Sequence, residues 1–72
     1  MTDQQINLLD VVALTADTPE HSLLRGQVGT VLEVLAPGVF EVEFADDAGE
    51  TYASVALQAG QLMVLRYQPA HR

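Results

Sequence analysis

Val39-Phe40-Glu41-Val42-Glu43-Phe44-Ala45, residues 39–45, is the stretch with the cleanest alternation of apolar and acidic side chains in this 72-residue chain. Successive side chains of a β-strand point to opposite faces, so Phe40, Val42 and Phe44 fall on one face and the glutamates on the other. The stretch therefore predicts a half-buried strand. Its aromatic face should lie on a core, and its acidic face should lie in solvent.

Turn residues lie on both sides of this strand. Ala36-Pro37-Gly38 has proline and glycine in the order of a type II turn, and Asp46-Asp47-Ala48-Gly49 favours a second hairpin turn. We expect a strand over residues 30–35 before the first turn and another over residues 50–57 after the second. In the latter strand, Thr51, Ala53, Val55 and Leu57 should share one face, with Tyr52 and Ser54 on the other.

The outer segments predict one further strand at each end. Residues 8–14 are apolar and β-branched in the middle, and residues 62–67 form the last strand before a proline. Between them we expect a loop over residues 15–22 and a short 3₁₀ turn over residues 58–61. Five short strands without a helical period predict an all-β fold, a small five-stranded barrel that is closed or nearly closed.

The pattern also predicts the domain organisation and the core. We expect a flexible N-terminus over residues 1–7, one barrel domain over residues 8–69 and a flexible tail over residues 70–72. Gly26 and Gly29, just before a valine-rich run, indicate a tight turn or a close approach of backbone to backbone. The expected core residues are Val12, Leu14, Val28, Val31, Val34, Phe40, Val42, Phe44, Val55, Leu62 and Val64.

The composition excludes several classes of protein. The formal net charge is −7, and the chain has neither lysine nor cysteine. Without cysteine there is no disulfide framework and no cysteine-ligated metal site. The negative charge argues against nucleic-acid binding, because contacts to phosphates need lysine and arginine.

The sequence shows no targeting signal. The N-terminus lacks the basic region and the long apolar run of a signal peptide. Purely apolar runs such as residues 11–14 are far too short to cross a membrane. We therefore expect a cytoplasmic protein without a membrane partner.

Two resemblances follow from these motifs. The stretch from Leu24 to Val34 resembles the second strand of SH3-like barrels, including those of ribosomal proteins and NusG-type transcription factors. More closely, residues 8–69 resemble a family of short bacterial proteins described as domain of unknown function 4926. The motifs that carry this second resemblance are Leu9-Asp10-Val11-Val12-Ala13-Leu14, Arg25-Gly26-Gln27-Val28-Gly29-Thr30-Val31, Gly38-Val39-Phe40-Glu41-Val42-Glu43-Phe44 and Gln61-Leu62-Met63-Val64-Leu65.

The resemblance implies an SH3-like barrel and almost no function. It also suggests small stand-alone bacterial genes beside uncharacterised neighbours, as in toxin–antitoxin or immunity pairs. The basic loops of nucleic-acid-binding SH3-like barrels are not present here, since the only basic side chains apart from histidine are Arg25, Arg66 and Arg72. The ribosomal type of role is therefore not carried over.

Acidic side chains are the sharpest functional feature. Six of the ten lie between positions 33 and 50, on two strands and their turn: Glu33, Glu41, Glu43, Asp46, Asp47 and Glu50. They either form a solvated face that prevents aggregation or recruit a basic protein surface. A divalent cation at Asp46, Asp47 and Glu50 is a third interpretation, although the spacing lacks the register of a calcium loop.

Two further groups of residues are weaker candidates. Tyr52, Tyr67, Leu32 and Val39 form either an exposed patch for a partner or ordinary packing. His21 lies beside Glu20 and near Asp17, a combination that suits a metal or a general base, although an exposed loop histidine explains it as well. Ser22 and Ser54 have no partner histidine at a recognisable spacing, so we predict no catalytic residue, no cofactor and no metal.

These observations favour a small, acidic, non-catalytic protein-binding module. It would dock a basic protein partner, encoded nearby, through Glu33, Glu41, Glu43, Asp46, Asp47, Glu50 and Tyr52. An antitoxin, an immunity protein or an adaptor subunit would fit. Two alternatives stay open: a nucleic-acid-associated module of the ribosomal or NusG type, and an enzyme or metal protein that uses His21.

Overall fold

The chain forms one antiparallel sheet. The computed structural model describes residues 5–66. Its strands and 3₁₀ turns are β1 (Val11–Leu14), a first 3₁₀ turn (Pro19–His21), β2 (Val28–Ala36), β3 (Val39–Ala45), β4 (Thr51–Gln58), a second 3₁₀ turn (Ala59–Gln61) and β5 (Leu62–Val64). The strand order is β4-β3-β2-β1-β5. The prediction of an all-β fold with five strands is confirmed, as is the 3₁₀ turn before the last strand.

The sheet is open, whereas the sequence predicted a closed or nearly closed barrel. β4 and β5 are its two edges. β2 pairs with β3 along most of its length, but with β1 only through its first residues, up to Thr30. β5 has three residues, all paired with β1. Such a short strand leaves no ladder to β4 within residues 5–66, so both edges stay open.

Both hairpin turns agree with the sequence. Pro37 and Gly38 join β2 to β3, and Gly38 has a φ of +76°, as the third residue of a type II turn requires. Gly49 has a φ of +83° in the turn between β3 and β4, where its N–H donates to the carbonyl of Asp46 (2.9 Å). Glycine adopts these conformations without the steric penalty of a Cβ atom.

The first strand begins later than the sequence predicted. Residues 8 and 9 form a turn in which Leu9 has a φ of +69°, and β1 begins at Val11. The Asn7 N–H donates to Asp10 Oδ2 (2.8 Å), and the Asp10 N–H donates to the Asn7 carbonyl (3.1 Å). These two bonds bend the chain, so the apolar pair at residues 8–9 does not extend the strand.

The other strand bounds are closer to the expectation. β3 has the predicted bounds, and β4 is shifted by one residue toward the C-terminus. β2 is longer than predicted by two residues at its start and one at its end. β5 ends at Val64 rather than at residue 67, which lies outside the described residues along with the predicted tail.

The core lies on one face of the sheet, which we call the core face. Phe40, Val42 and Phe44 are buried there as predicted. The sequence analysis did not place Leu23, Leu57 or Ile6 in the core, yet all belong to it. The buried cluster consists of Ile6, Val12, Leu14, Leu23, Val31, Phe40, Val42, Phe44, Leu57 and Leu62, with Val55 and Val64 partly buried against it.

The core prediction is wrong for two residues, Val28 and Val34. Val28 is 43% exposed, because it lies one residue from the core-facing Gly29 in a regular ladder and so faces the opposite side. Val34 pairs with Phe40 and shares its face, yet it is 49% exposed. Pairing with β1 has ended by that point, so within residues 5–66 no strand covers Val34 on the side away from β3.

Gly26, before β2, and Gly29, within it, have the predicted roles. Gly26 has a φ of +91° in the turn that leads to β2. Gly29 packs beneath β3: a Cβ atom there would lie 2.8 Å from the Glu43 carbonyl oxygen and 3.0 Å from a ring carbon of Phe44. Only glycine lets the two strands approach this closely.

A buried leucine anchors the long loop between β1 and β2 to the core. Leu23 is 1% exposed and exchanges backbone hydrogen bonds with Thr18, which is also buried (2.8 and 3.2 Å). Asp17 Oδ1 accepts the N–H of Arg25 (2.9 Å) on the far side of the loop. The loop that the sequence indicated is thus closed on itself and packed onto the core.

Candidate functional site

Three of the six predicted acidic residues meet on the outer face of the sheet, opposite to the core. Glu33 on β2 lies directly across from Glu41 on β3. Glu43, two residues further along β3, lies across from Thr30 on one side and Ser54 on the other. We call Glu33, Glu41 and Glu43 the acidic face. Alternation along β3 places it there, because the intervening residues are those of the core.

The negative charge of the acidic face is not neutralised within residues 5–66. No arginine or histidine nitrogen in this part of the chain lies within ion-pair distance of any of its three carboxylates. Like charges directly opposite each other in a ladder are destabilising. The Glu33–Glu41 pair is therefore unfavourable for folding alone.

Two hydroxyl groups on β4 orient the carboxylates. Ser54 Oγ donates to Glu41 Oε2 (2.6 Å), and Thr51 Oγ1 donates to Glu43 Oε2 (2.7 Å). Each hydroxyl lies diagonally from its glutamate, so both carboxylates lean toward β4. The sequence analysis missed these two donors. The signal was available in the short hydroxyl side chains on the strand that pairs with the glutamates. The sequence analysis also placed Thr51 on the face of Ala53 and Val55, which is wrong, because the ladder irregularity beside Tyr52 turns Thr51 to the face of Glu43.

The other three acidic residues lie in the turn between β3 and β4 or at its end. Asp46 Oδ1 accepts the N–H groups of Ala48 and Glu50, both at 2.9 Å. The N–H of Asp46 donates to the Glu50 carbonyl (2.9 Å), which closes the turn. Asp46 therefore holds the turn together, while the side chains of Asp47 and Glu50 are exposed.

Tyr52 lies at the other end of β4 from the second 3₁₀ turn and is 48% exposed. An irregularity in the β3–β4 ladder falls beside it, between Phe44 and Ala45. Its ring lies 6.4 Å from that of Phe44, and its hydroxyl accepts a hydrogen bond from Gln27 Nε2 (2.9 Å). Of the predicted aromatic and apolar patch, Leu32 is 44% exposed at a bulge of β2, and Tyr67 lies outside the described residues.

The predicted histidine cluster has little support from the geometry. His21 and Glu20 are exposed on the first 3₁₀ turn, and Asp17 Oδ1 is engaged by the backbone of Arg25. In residues 5–66, no three His, Asp or Glu side chains are placed to hold a metal ion, at this loop or at the Asp46–Glu50 turn. The same residues contain no helix long and apolar enough to span a membrane.

The chemistry that the acidic face offers is electrostatic. Its carboxylates, of which those of Glu41 and Glu43 are held by β4, can accept charge-assisted hydrogen bonds from lysine or arginine side chains. Such bonds are stronger than bonds between neutral groups. The hydroxyls of Thr51 and Ser54 already donate to the glutamates, so they hold the acceptors in place. This arrangement can therefore attract and orient a positively charged group.

Comparison with known proteins identifies a family. A family model described as a domain of unknown function, DUF4926, matches residues 8–64. This match confirms the family that the four sequence motifs indicated. Neither a curated protein nor a solved structure gives a significant match to the chain.

Proposed function

The chain belongs to the DUF4926 family, a domain of unknown function, and we propose from the charge on its surface that it is a small, non-catalytic protein-binding module. Its acidic face docks a basic protein partner. The observation that carries this proposal is the row of carboxylates without a basic neighbour in residues 5–66. Such an arrangement opposes folding and favours a partner that supplies the missing positive charge.

We expect the charge of the acidic face to raise the rate of association with a basic partner and the selectivity for it. Complementary charge raises the rate of encounter and rejects partners of the wrong sign more than it raises affinity. The net charge of −7 adds a long-range field of the same sign. Binding should therefore weaken steeply as salt screens this field.

The finer identity of the module is part of the same proposal. We propose an SH3-like arrangement, supported by a β2 strand shared between β1 and β3 and by the 3₁₀ turn before β5. We further propose a bacterial, cytoplasmic protein that acts as an antitoxin, an immunity protein or an adaptor subunit. A basic partner encoded nearby would fit each of these roles.

A pull-down from the native host at low and high salt tests the proposal. The wild type should capture one basic protein at low salt and lose it at high salt. The double variant Glu41→Gln/Glu43→Gln should capture much less, because it removes two charges while leaving oxygen acceptors for Ser54 and Thr51. The control Asp17→Asn/Glu20→Gln changes the net charge equally, on the loop between β1 and β2.

The outcomes separate the interpretations. Equal loss in both variants would mean that only the net charge matters, and no loss in either would leave the acidic face a solubilising surface. Recovery of RNA or DNA instead of a protein would favour the nucleic-acid-associated alternative. Capture of a neighbouring gene product that is toxic alone would assign the antitoxin role.

A further inference from the structure

The outer edge of β4 has the properties of a docking site for another strand. β4 runs over Thr51–Gln58 and pairs only with β3, so its remaining backbone groups along residues 52–57 have no partner within residues 5–66. The strand carries no charge, no proline and no glycine. Natural sheet edges are usually protected by lysine, proline or strong bulges. Apart from one ladder irregularity beside Tyr52, this eight-residue edge has none of these, so it is a template for pairing.

On the outer face of the sheet, the side chains along this edge are small and lie next to negative charge. Ser54 and Ala56, the exposed outer residues in the middle of β4, are both small. Behind them, Glu41 and Glu43 lean toward the edge, because their hydrogen-bond donors belong to β4. Strands in a sheet lie about 4.8 Å apart, so a lysine or arginine on an added strand can reach over β4 to these carboxylates.

On the core face of the sheet, the same edge leaves part of the core uncovered. Val55 and Ala53 face the core from β4 and are only partly buried. Apolar side chains on the inner face of an added strand would cover them. The two sides together require a segment in which basic and apolar residues alternate, because successive side chains of a strand face opposite sides.

We propose that the basic partner binds by adding a strand to the β4 edge, with lysine or arginine facing Glu41 and Glu43 and apolar side chains facing Val55. This inference rests on the proposed function and specifies how the partner is recognised. Main-chain hydrogen bonds supply the affinity, and the alternating side chains supply the specificity.

A second copy of the chain fits the edge less well. Pairing of two β4 strands around a two-fold axis would extend both acidic faces into one surface. It would also bring together two chains of net charge −7. Charge complementarity therefore selects a basic strand over a second copy.

The test uses the full chain and synthetic peptides of about ten residues, long enough to span β4. In the first peptide lysine alternates with valine. In the second the same residues stand in two blocks, and in the third the alternating peptide is N-methylated at every backbone amide. Affinity is measured by titration, and protection of the β4 amides by hydrogen exchange in NMR spectra, at two protein concentrations.

We expect the alternating peptide to bind and to slow exchange at alternate amides of residues 51–58. The block and N-methylated peptides should bind about tenfold more weakly or worse, as the loss of one or two net hydrogen bonds implies. Glu41→Gln/Glu43→Gln should weaken binding of the alternating peptide and flatten its salt dependence. Asp17→Asn/Glu20→Gln should retain nearly wild-type binding.

Three results would overturn the inference. Equal binding of the N-methylated peptide would show that the acidic face attracts basic segments without strand addition, and the proposed function would survive. Absence of binding by the alternating peptide would refute the edge as its site. Protection of the β4 amides that rises with protein concentration in the absence of peptide would assign the edge to a second copy.

Discussion

Gly29 shows how a single residue sets the distance between two strands. It lies on the core face beneath Phe44, where a Cβ atom would come within 2.8 Å of the Glu43 carbonyl oxygen and of a methyl carbon of Val42. Backbone atoms cannot move aside as the end of a flexible side chain can. The glycine is therefore required by packing, in contrast to the turn glycines, which are required by their positive φ.

Gly29→Ala should lower the free energy of unfolding by about 1–3 kcal/mol, the usual effect of overpacking a core. Urea denaturation at equilibrium measures it. Gly60→Ala is the matched control, because a Cβ atom at Gly60 has nothing within 4 Å. The control should change stability little or raise it slightly, through the reduced entropy of the unfolded chain. A small effect of Gly29→Ala would mean that β2 and β3 separate without loss of packing.

At the scale of the elements, the turn between β3 and β4 depends on one carboxylate. Asp46 Oδ1 accepts two backbone N–H groups, from Ala48 and Glu50. Asp46→Ala should lower stability by about 1 kcal/mol, because it leaves both donors to solvent. Asp46→Asn keeps an oxygen at the same place and should retain most of that stability. Thermal unfolding followed by circular dichroism measures both.

Asp47 supplies the control for this turn. It is the next residue along the chain, exposed, and makes no hydrogen bond through its side chain within residues 5–66. Asp47→Ala should leave the melting temperature nearly unchanged. If Asp46→Ala and Asp47→Ala behaved alike, the two bonds to Asp46 would contribute nothing beyond the charge that both variants remove.

The strands predicted correctly from the sequence are those whose bounds are indicated by neighbouring residues. β3 alternates without interruption between two turns that contain glycine, so its bounds and its buried face were predicted correctly. β1 was placed too early, because the turn at residues 8–9 contains two leucines and depends on bonds between Asn7 and Asp10. Apolar residues in a turn have no compositional signature that distinguishes them from the start of a strand.

Errors about the core and the site have a tertiary origin. Val34 has the right periodicity, but in the described part of the chain no strand lies beyond it on the side of β1. Leu23 is in a loop yet is 1% exposed. The prediction that Glu41 and Glu43 face outward together needed only the alternation along β3. That Ser54 and Thr51 orient Glu41 and Glu43 was not predicted, because it depends on the diagonal register of β3 and β4 and, for Thr51, on the ladder irregularity beside Ala45.

At the scale of the whole molecule, the core is small and each buried side chain contributes a large share of the stability. A chain of 72 residues is expected to have a free energy of unfolding of about 4–11 kcal/mol. Leu23 is among the largest fully buried side chains, although it lies outside the sheet. It joins the loop between β1 and β2 to the core, so its removal affects the packing of both.

Leu23→Ala should lower the free energy of unfolding by about 2–5 kcal/mol, as for other buried leucines. Leu24→Ala is a control of identical chemistry at the next position, where the side chain is 63% exposed, and its effect should be small. Chemical denaturation compares the two variants. Similar midpoints for both would contradict the role of Leu23 as an anchor of the loop.

The strand order also has a consequence for the path by which the chain folds. β2, β3 and β4 are joined by tight turns, so their ladders form between neighbours in sequence. The β1–β5 ladder instead pairs Val12 with Val64 and requires closure of a loop that contains the whole meander. Long-range closure is entropically slower than local pairing, which favours a transition state with the meander formed and the termini still apart. Substitutions in the β1–β5 ladder would then mainly accelerate unfolding, and substitutions in the β2–β3 hairpin would slow folding.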